Sequence, residues 1–383
     1  MIIYNKTWLH NLSLHNEAEQ LHKAHLITTA ELDKVKKTYP VGFYSPGIFV
    51  RIGLFVLTSV IISAVGLLIG QLIADAHVNS RKFLSLLIGI AGIIILDVLV
   101  KKRNYLRAGV DDALLWISST LLYYWADDML YRNNHHSLIL SVIVLLASIA
   151  LTLRYLDIAM CAVSCLAFFA VIFFSWQKIT FGNDTMSFIM MLAAGLVYWA
   201  SIKTGAKIRK PYYNNCILIV QTISLIVFYA AGNYYVVDNL NQELNGIGAT
   251  LSLKPFFWCW TMVVPPVYLA YGLIKKSVLM ARIGLVLNFA ALYTLRTYVH
   301  IMSLELALTL AGAVLLVIIY GVIQYLKTPK HGYTYANIEN TTDNLNAEGL
   351  FTAATLTLAH RAEPDSKFGG GDFGGGGSGG KFE

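Results

Sequence analysis

The chain has 383 residues, of which 56% are hydrophobic and only 13% charged, and its mean hydropathy is +0.59. A soluble globular chain carries about 25% charged residues, so this composition excludes an ordinary soluble enzyme and indicates a membrane protein. The net charge of +7 does not indicate nucleic acid, because the basic residues are distributed by topology.

Residues 1–47 are polar and are expected to form a small cytoplasmic helical module. Thr28-Thr29-Ala30-Glu31 has the spacing of a capping box and opens a short helix that should end before Pro40. His10, His15, His22 and His25 gather here, but no carboxylate or Cys completes a ligand set. They are read as solvated, and neither a metal nor another cofactor is expected. The stretch HLITTAELDKVKKTYP (25–40), followed by an apolar span, resembles the start of an uncharacterised family of bacterial multi-pass membrane proteins. That resemblance implies a short cytoplasmic helical module ahead of a bundle of spans.

Ten apolar runs follow, near residues 48–73, 83–100, 109–130, 137–153, 156–176, 185–201, 216–237, 256–274, 277–300 and 304–326. Most have the ~17–25 residues that a spanning helix needs. No charged leader, apolar stretch and small-residue cleavage site open the chain, so no removable signal peptide is expected. With the N-terminus inside, 22 of the 29 Lys and Arg residues fall on the inner side and five on the outer. The positive-inside rule then predicts a polytopic all-α bundle of about ten helices over 48–326, with both termini cytoplasmic. The expected site is the bacterial inner membrane.

The third run, VDDALLWISSTLLYYWADDML, is bracketed by Asp111–Asp112 and Asp127–Asp128. The stretch between the acidic pairs is a helix of only about 21 Å, against about 30 Å of hydrocarbon. At 100° per residue, Asp112, Trp116, Ser119, Tyr123 and Asp127 share one stripe. Leu114, Ile117, Leu121 and Trp125 occupy the other side and are expected to face lipid, while Asp111 and Asp128 can reach the interfaces.

The ninth run offers complementary charges, with Arg282 and Arg296 on one face together with Phe289, Tyr293 and His300. If the third and ninth spans are neighbours, Asp112 meets Arg282 and Asp127 meets Arg296. Such charges either mark an ion or substrate pathway or only orient helices. Glu305 is a second candidate for Arg296, and Arg51, Asp97 and Asp157 form a further inner-side set. In the eighth run, Pro265-Pro266 removes two backbone donors and predicts a kink or a break. Gly89/Gly92 and Gly66/Gly70 offer small surfaces for close helix packing. Cys161, Cys165, Cys216 and Cys259 fall within or at the edges of spans and read as small hydrophobes.

Residues 327–383 form a polar tail ending in KFGGGDFGGGGSGGKFE, where nine of the thirteen residues 368–380 are glycine. This tract should be disordered. The FGGGDFGGGGSGG pattern is similar to the tails of bacterial membrane proteins that carry a TPM domain, although no such domain is seen here; the tail is read either as a flexible end or linker without a role, or as one that docks on a partner through Phe368, Phe373 and Phe382. No zincin, nucleophile-elbow or phosphate-loop motif is present. The expected function is therefore a non-catalytic scaffold or accessory subunit of a membrane complex, engaging a protein partner through the module or the tail. The alternative is a proton- or ion-coupled transporter that uses the paired charges.

Overall fold

In the computed structural model, the described residues are 2–298 except 24–25, 73–77, 132, 134, 208–210 and 252, with isolated positions between 309 and 324. The tenth apolar run, apart from those positions, lies outside them. So do Glu305 and the tail with Phe368, Phe373 and Phe382.

Hydrophobic runs bounded by turn residues become helices in chain order. The module supplies α1 (Lys6–Lys23) and α2 (Thr29–Thr38), and α3 (Ile48–Leu72), α4 (Val78–Arg103), α5 (Val110–Leu130) and α6 (His136–Tyr155) follow. Next come α7 (Ile158–Trp176), α8 (Gly182–Lys207), a single 3-10 turn at Pro211–Tyr213, α9 (Asn214–Ala230) and α10 (Tyr234–Asn245). The last two are α11 (Lys254–Ile274) and α12 (Val278–Tyr298). No β-strand occurs among the described residues; one isolated bridge joins Tyr44 to Tyr105.

Seven helices (α3, α4, α6, α7, α8, α11 and α12) are long and apolar enough to cross a membrane, and the bent pair α9–α10 makes an eighth if it counts as one span. The chain is an all-α polytopic membrane bundle. Helix α5 is outside that set, because its two acidic pairs lower its hydropathy, yet it lies inside the first half of the bundle against α3, α4 and α6.

Neighbouring helices pair as hairpins, α4 with α5, α6 with α7, α8 with α9 and α11 with α12. The α6–α7 turn needs only two residues. Leu156 takes a left-handed conformation that closes α6, and the Asp157 carboxylate caps α7 by accepting from Met160 N at 2.7 Å. The α11–α12 hairpin is drawn together at Gly284, where a Cβ would stand 2.5 Å from Leu269 N.

Of the kink or break expected at Pro265-Pro266, the break does not occur: helix α11 runs unbroken through both, with Pro265 fully buried against its neighbours. Packing holds the helix together where the backbone donors are missing. The seventh run, expected to be one continuous helix, is instead broken between α9 and α10 with a bend of 71°. The cause is Asn233, whose side chain accepts from Tyr235 N and Val236 N and so starts a new helix.

The capping box forms as expected. Thr28 N donates to Glu31 Oε2 at 2.8 Å, and Glu31 N donates to Thr28 Oγ1 at 3.3 Å. Thr28 N and the Thr28 hydroxyl, which donates to Oε2 at 2.9 Å, together hold the Glu31 carboxyl below the usual Glu range. The histidine expectation changes: His15 Nε2 meets Tyr39 O at 2.7 Å and His22 Nδ1 meets Ile27 O at 3.0 Å, so both latch chain turns rather than only facing solvent.

Candidate functional site

The functional geometry gathers where the module meets the bundle. Residues 39–44 run back along α1: Asn11 Nδ2 donates to Pro40 O at 2.8 Å, and Phe43 stacks edge-on against Tyr4 and Trp8. Backbone bonds then fasten the module to the bundle. Ile3 N donates to Arg154 O at 3.1 Å, Tyr44 N to Asn104 O at 3.0 Å, and Leu106 N to Tyr44 O at 3.2 Å. Tyr4 and Leu9 share one apolar core with Leu96, Leu114, Tyr155 and Met160. Burial, then the charges of Asp111, Asp112 and Asp157, push the Tyr4 phenol well above its ordinary range, so it stays protonated.

Two charged groups frame this junction. Arg51 on α3 pairs with Asp112 on α5, Nε at 2.8 Å and Nη2 at 2.7 Å from Oδ2. Asp97 on α4 receives Arg154 Nε at 3.0 Å, Arg154 Nη2 and the Tyr155 hydroxyl at 2.5 Å. Each group joins helices that are not consecutive in the chain, so each fixes tertiary rather than local structure.

The loop between α4 and α5 carries three positive φ angles in six residues, Asn104 at 53°, Arg107 at 52° and Gly109 at 95°. Non-glycine residues in this region cost about 1–3 kcal/mol each. At Gly109 the need is steric as well: a Cβ would overlap the Arg51 carbonyl oxygen. Helix α3 therefore approaches α5 backbone to backbone at this one point. Asp111 stabilises the turn by accepting from Ala108 N at 2.8 Å.

Three cavities, of about 870, 540 and 310 Å³, meet around Arg107. The first lies between α1 and the start of α9. The second opens between α3, α5 and the start of α7, and is lined by Arg51, Arg107, Asp112, Trp116 and Asp157 among others.

The expected pairing of the third and ninth spans is not found. Helix α5 packs against α3, α4 and α6, whereas α12 packs against α9, α10 and α11. Asp112 is therefore taken by Arg51, not Arg282. Asp127 pairs with His136 across the α5–α6 turn at 2.8 Å, not with Arg296. The buried Arg296 Nη1 and the Tyr123 hydroxyl have no hydrogen-bond partner among the described residues.

The polar stripe divides as well. Asp112 and Trp116 line the second cavity, while Ser119 is 2% exposed and donates to Leu115 O of its own helix at 2.6 Å. On the expected lipid face Leu114 is buried, and it is Thr120, Tyr124 and Met129 that are exposed. Asp111, expected to reach an interface, is also buried. The helix is rotated from the pattern-based expectation because α4 packs on it through its small residues: a Cβ on Gly92 would overlap Ser118 Oγ.

Sequence reasoning named Arg51, Asp97 and Asp157 as an inner-side set but did not single out Arg107, Arg154, Tyr155 or Asn233. Arg107 and Arg154 carried a signal only as positive charges in short loops. Asn233 had one in Gly232-Asn233, a turn-and-cap pair within an apolar run.

A second polar cluster lies at the α9–α10 break. Asn233 Nδ2 donates to Tyr229 Oη at 2.8 Å and Thr294 Oγ1 at 3.1 Å, and Tyr234 N donates to Thr261 Oγ1 at 2.8 Å. Tyr298 Oη donates to Asp238 Oδ2 at 2.8 Å. No family model, curated protein or solved structure matches the chain.

Proposed function

We propose that this membrane protein is a non-catalytic scaffold or accessory subunit, placed in a bacterial inner membrane with its module on the cytoplasmic side. One observation carries the reading: the module is joined to the bundle by backbone bonds and a shared core, while none of the ten residues of α2 is buried. A helix held rigidly and left uncovered is a preorganised surface for a partner, since little ordering entropy is lost when the partner binds. Its Lys34 and Lys37, one turn apart on the helix, offer an acidic partner two cations, while Lys36 points away from them and bridges to Glu19 of α1 at 2.7 Å. The topology rests on the inner-side excess of Lys and Arg.

The test is native electrophoresis of membranes solubilised in mild detergent, comparing the wild type with Lys34→Glu/Lys37→Glu. A discrete complex that the double substitution dissolves, at unchanged expression and with the helices intact, is the expected result. A monomer in both cases would sink the reading.

Proton- or ion-coupled transport is the second reading, favoured by the broken α9–α10 pair, since interrupted helices hold ligands in secondary transporters. Flux into proteoliposomes that Asn233→Ala abolishes would bring it forward.

A further inference from the structure

We propose that the cavity between α3, α5 and α7 is a binding site for a zwitterionic phospholipid with a primary ammonium headgroup, of the phosphatidylethanolamine class. Its volume of about 540 Å³ is within the ~300–1,000 Å³ of ligand sites. Its lining has three parts that match three parts of such a lipid.

The first part is cationic. The Arg107 guanidinium makes no hydrogen bond or salt bridge among the described residues, and its left-handed backbone places it where the three cavities meet. A guanidinium takes a phosphodiester through two parallel N–H donors. Arg51 lies across the cavity, already engaged by Asp112, and adds charge without being the principal ligand.

The second part is anionic. Asp157 accepts from Met160 N at Oδ1 in the α7 cap and also lines the cavity. Asp112 accepts Arg51 at Oδ2 alone, so its Oδ1 is left to face the cavity it lines. Two carboxylates are ill suited to a simple anion, but they accept N–H bonds from an ethanolamine ammonium, which a quaternary choline cannot donate.

The third part is apolar. Ile52 and Phe55 of α3 stay exposed at the cavity mouth, and Trp116 of α5 lines its wall. These surfaces suit acyl chains leaving toward the bilayer. An indole beside guanidinium groups is a combination typical of the membrane–water interface. The inference does not depend on the scaffold reading, since a structural lipid serves either function.

The experiment is native mass spectrometry of the full chain, delipidated in nonionic detergent and titrated with dioleoyl phosphatidylethanolamine, phosphatidylcholine and phosphatidylglycerol. One lipid of the ethanolamine class should be retained about tenfold more tightly than either of the others, the scale of one charge-assisted contact. Arg107→Gln and Asp157→Asn should each reduce that retention to the phosphatidylcholine level. Asn still caps a helix, so Asp157→Asn removes the charge and keeps the α7 start. That variant alone decides the question if Arg107→Gln fails to fold by circular dichroism and gel filtration.

Equal retention of ethanolamine and choline lipids would overturn the proposal. Tighter phosphatidylglycerol binding, rising further in Asp157→Asn, would also overturn it by showing a plain anion site. Chain-free glycerophosphoethanolamine that competes at the same concentration as the lipid would overturn the lipid assignment.

Discussion

The two polar regions of this bundle solve the same problem in opposite ways. At the α9–α10 corner, neutral groups close on one another: Asn233 uses its amide N–H donors on Tyr229 and Thr294 and its carbonyl oxygen on the start of α10. At the module junction, ions are held in pairs, Arg154 with Asp97 and Arg51 with Asp112, the second pair beside a cavity that Arg107 also lines. A satisfied network of neutral groups rigidifies a corner. Charges beside open space keep capacity to bind, at the cost of a strained loop. Structural and binding roles therefore separate along the molecule, and the separation can be tested.

The largest effect should come from the strained loop. Gly109→Ala forces a Cβ onto the Arg51 carbonyl at a φ of 95°, and should cost about 3 kcal/mol or more. SDS-titrated unfolding in mixed micelles measures this; a near-neutral result would mean that α3 does not approach α5 at this point.

Asn233→Ala should follow at about 2 kcal/mol, losing a helix cap and two interhelical hydrogen bonds in the same assay. A similar loss in Asn233→Asp would show that geometry alone does not explain the corner. If Asn233→Ala unfolds no more readily than wild type, the contrast between the two regions fails on its structural side.

The Arg51–Asp112 pair should show less. Its side chains are 36% and 15% exposed, so an Arg51→Gln, Asp112→Asn double-mutant cycle should give a coupling of about 1 kcal/mol. The companion cycle of Asp112→Asn with Arg282→Gln should give no coupling, because α5 and α12 pack against different helices.

The smallest effect lies on the module surface. Glu31 has a lowered folded-state pKa, so its contribution to α2 is present above the unfolded pKa and is lost as pH falls through the folded one. Amide shifts of Thr28 and Glu31 should move together below the ordinary Glu range, and Glu31→Gln should flatten that titration.

Local signals were legible wherever neighbours in the chain decide the outcome. The Thr28–Glu31 capping box needs only three residues of spacing, and α2 forms where that spacing places it. Long apolar runs became helices for the same reason, since backbone groups in hydrocarbon must satisfy one another within a segment. Asn233 shows the limit, because its cap competes with a continuous apolar pattern and wins through Tyr229 and Thr294, which only the folded bundle brings near.

By itself the sequence determined that this chain is an all-helical membrane bundle, with charges confined to particular helices. Composition and periodicity suffice for that, since hydrophobic transfer and backbone satisfaction act on each segment alone. Only the tertiary structure decided which charge meets which. Asp112 could reach an arginine on any neighbouring helix, and close packing at Gly92 and Gly109 gave it Arg51 of α3 instead of Arg282 of α12. Periodicity fixes the angle of a residue on its own helix, whereas helix adjacency follows from shape complementarity between surfaces far apart in the chain.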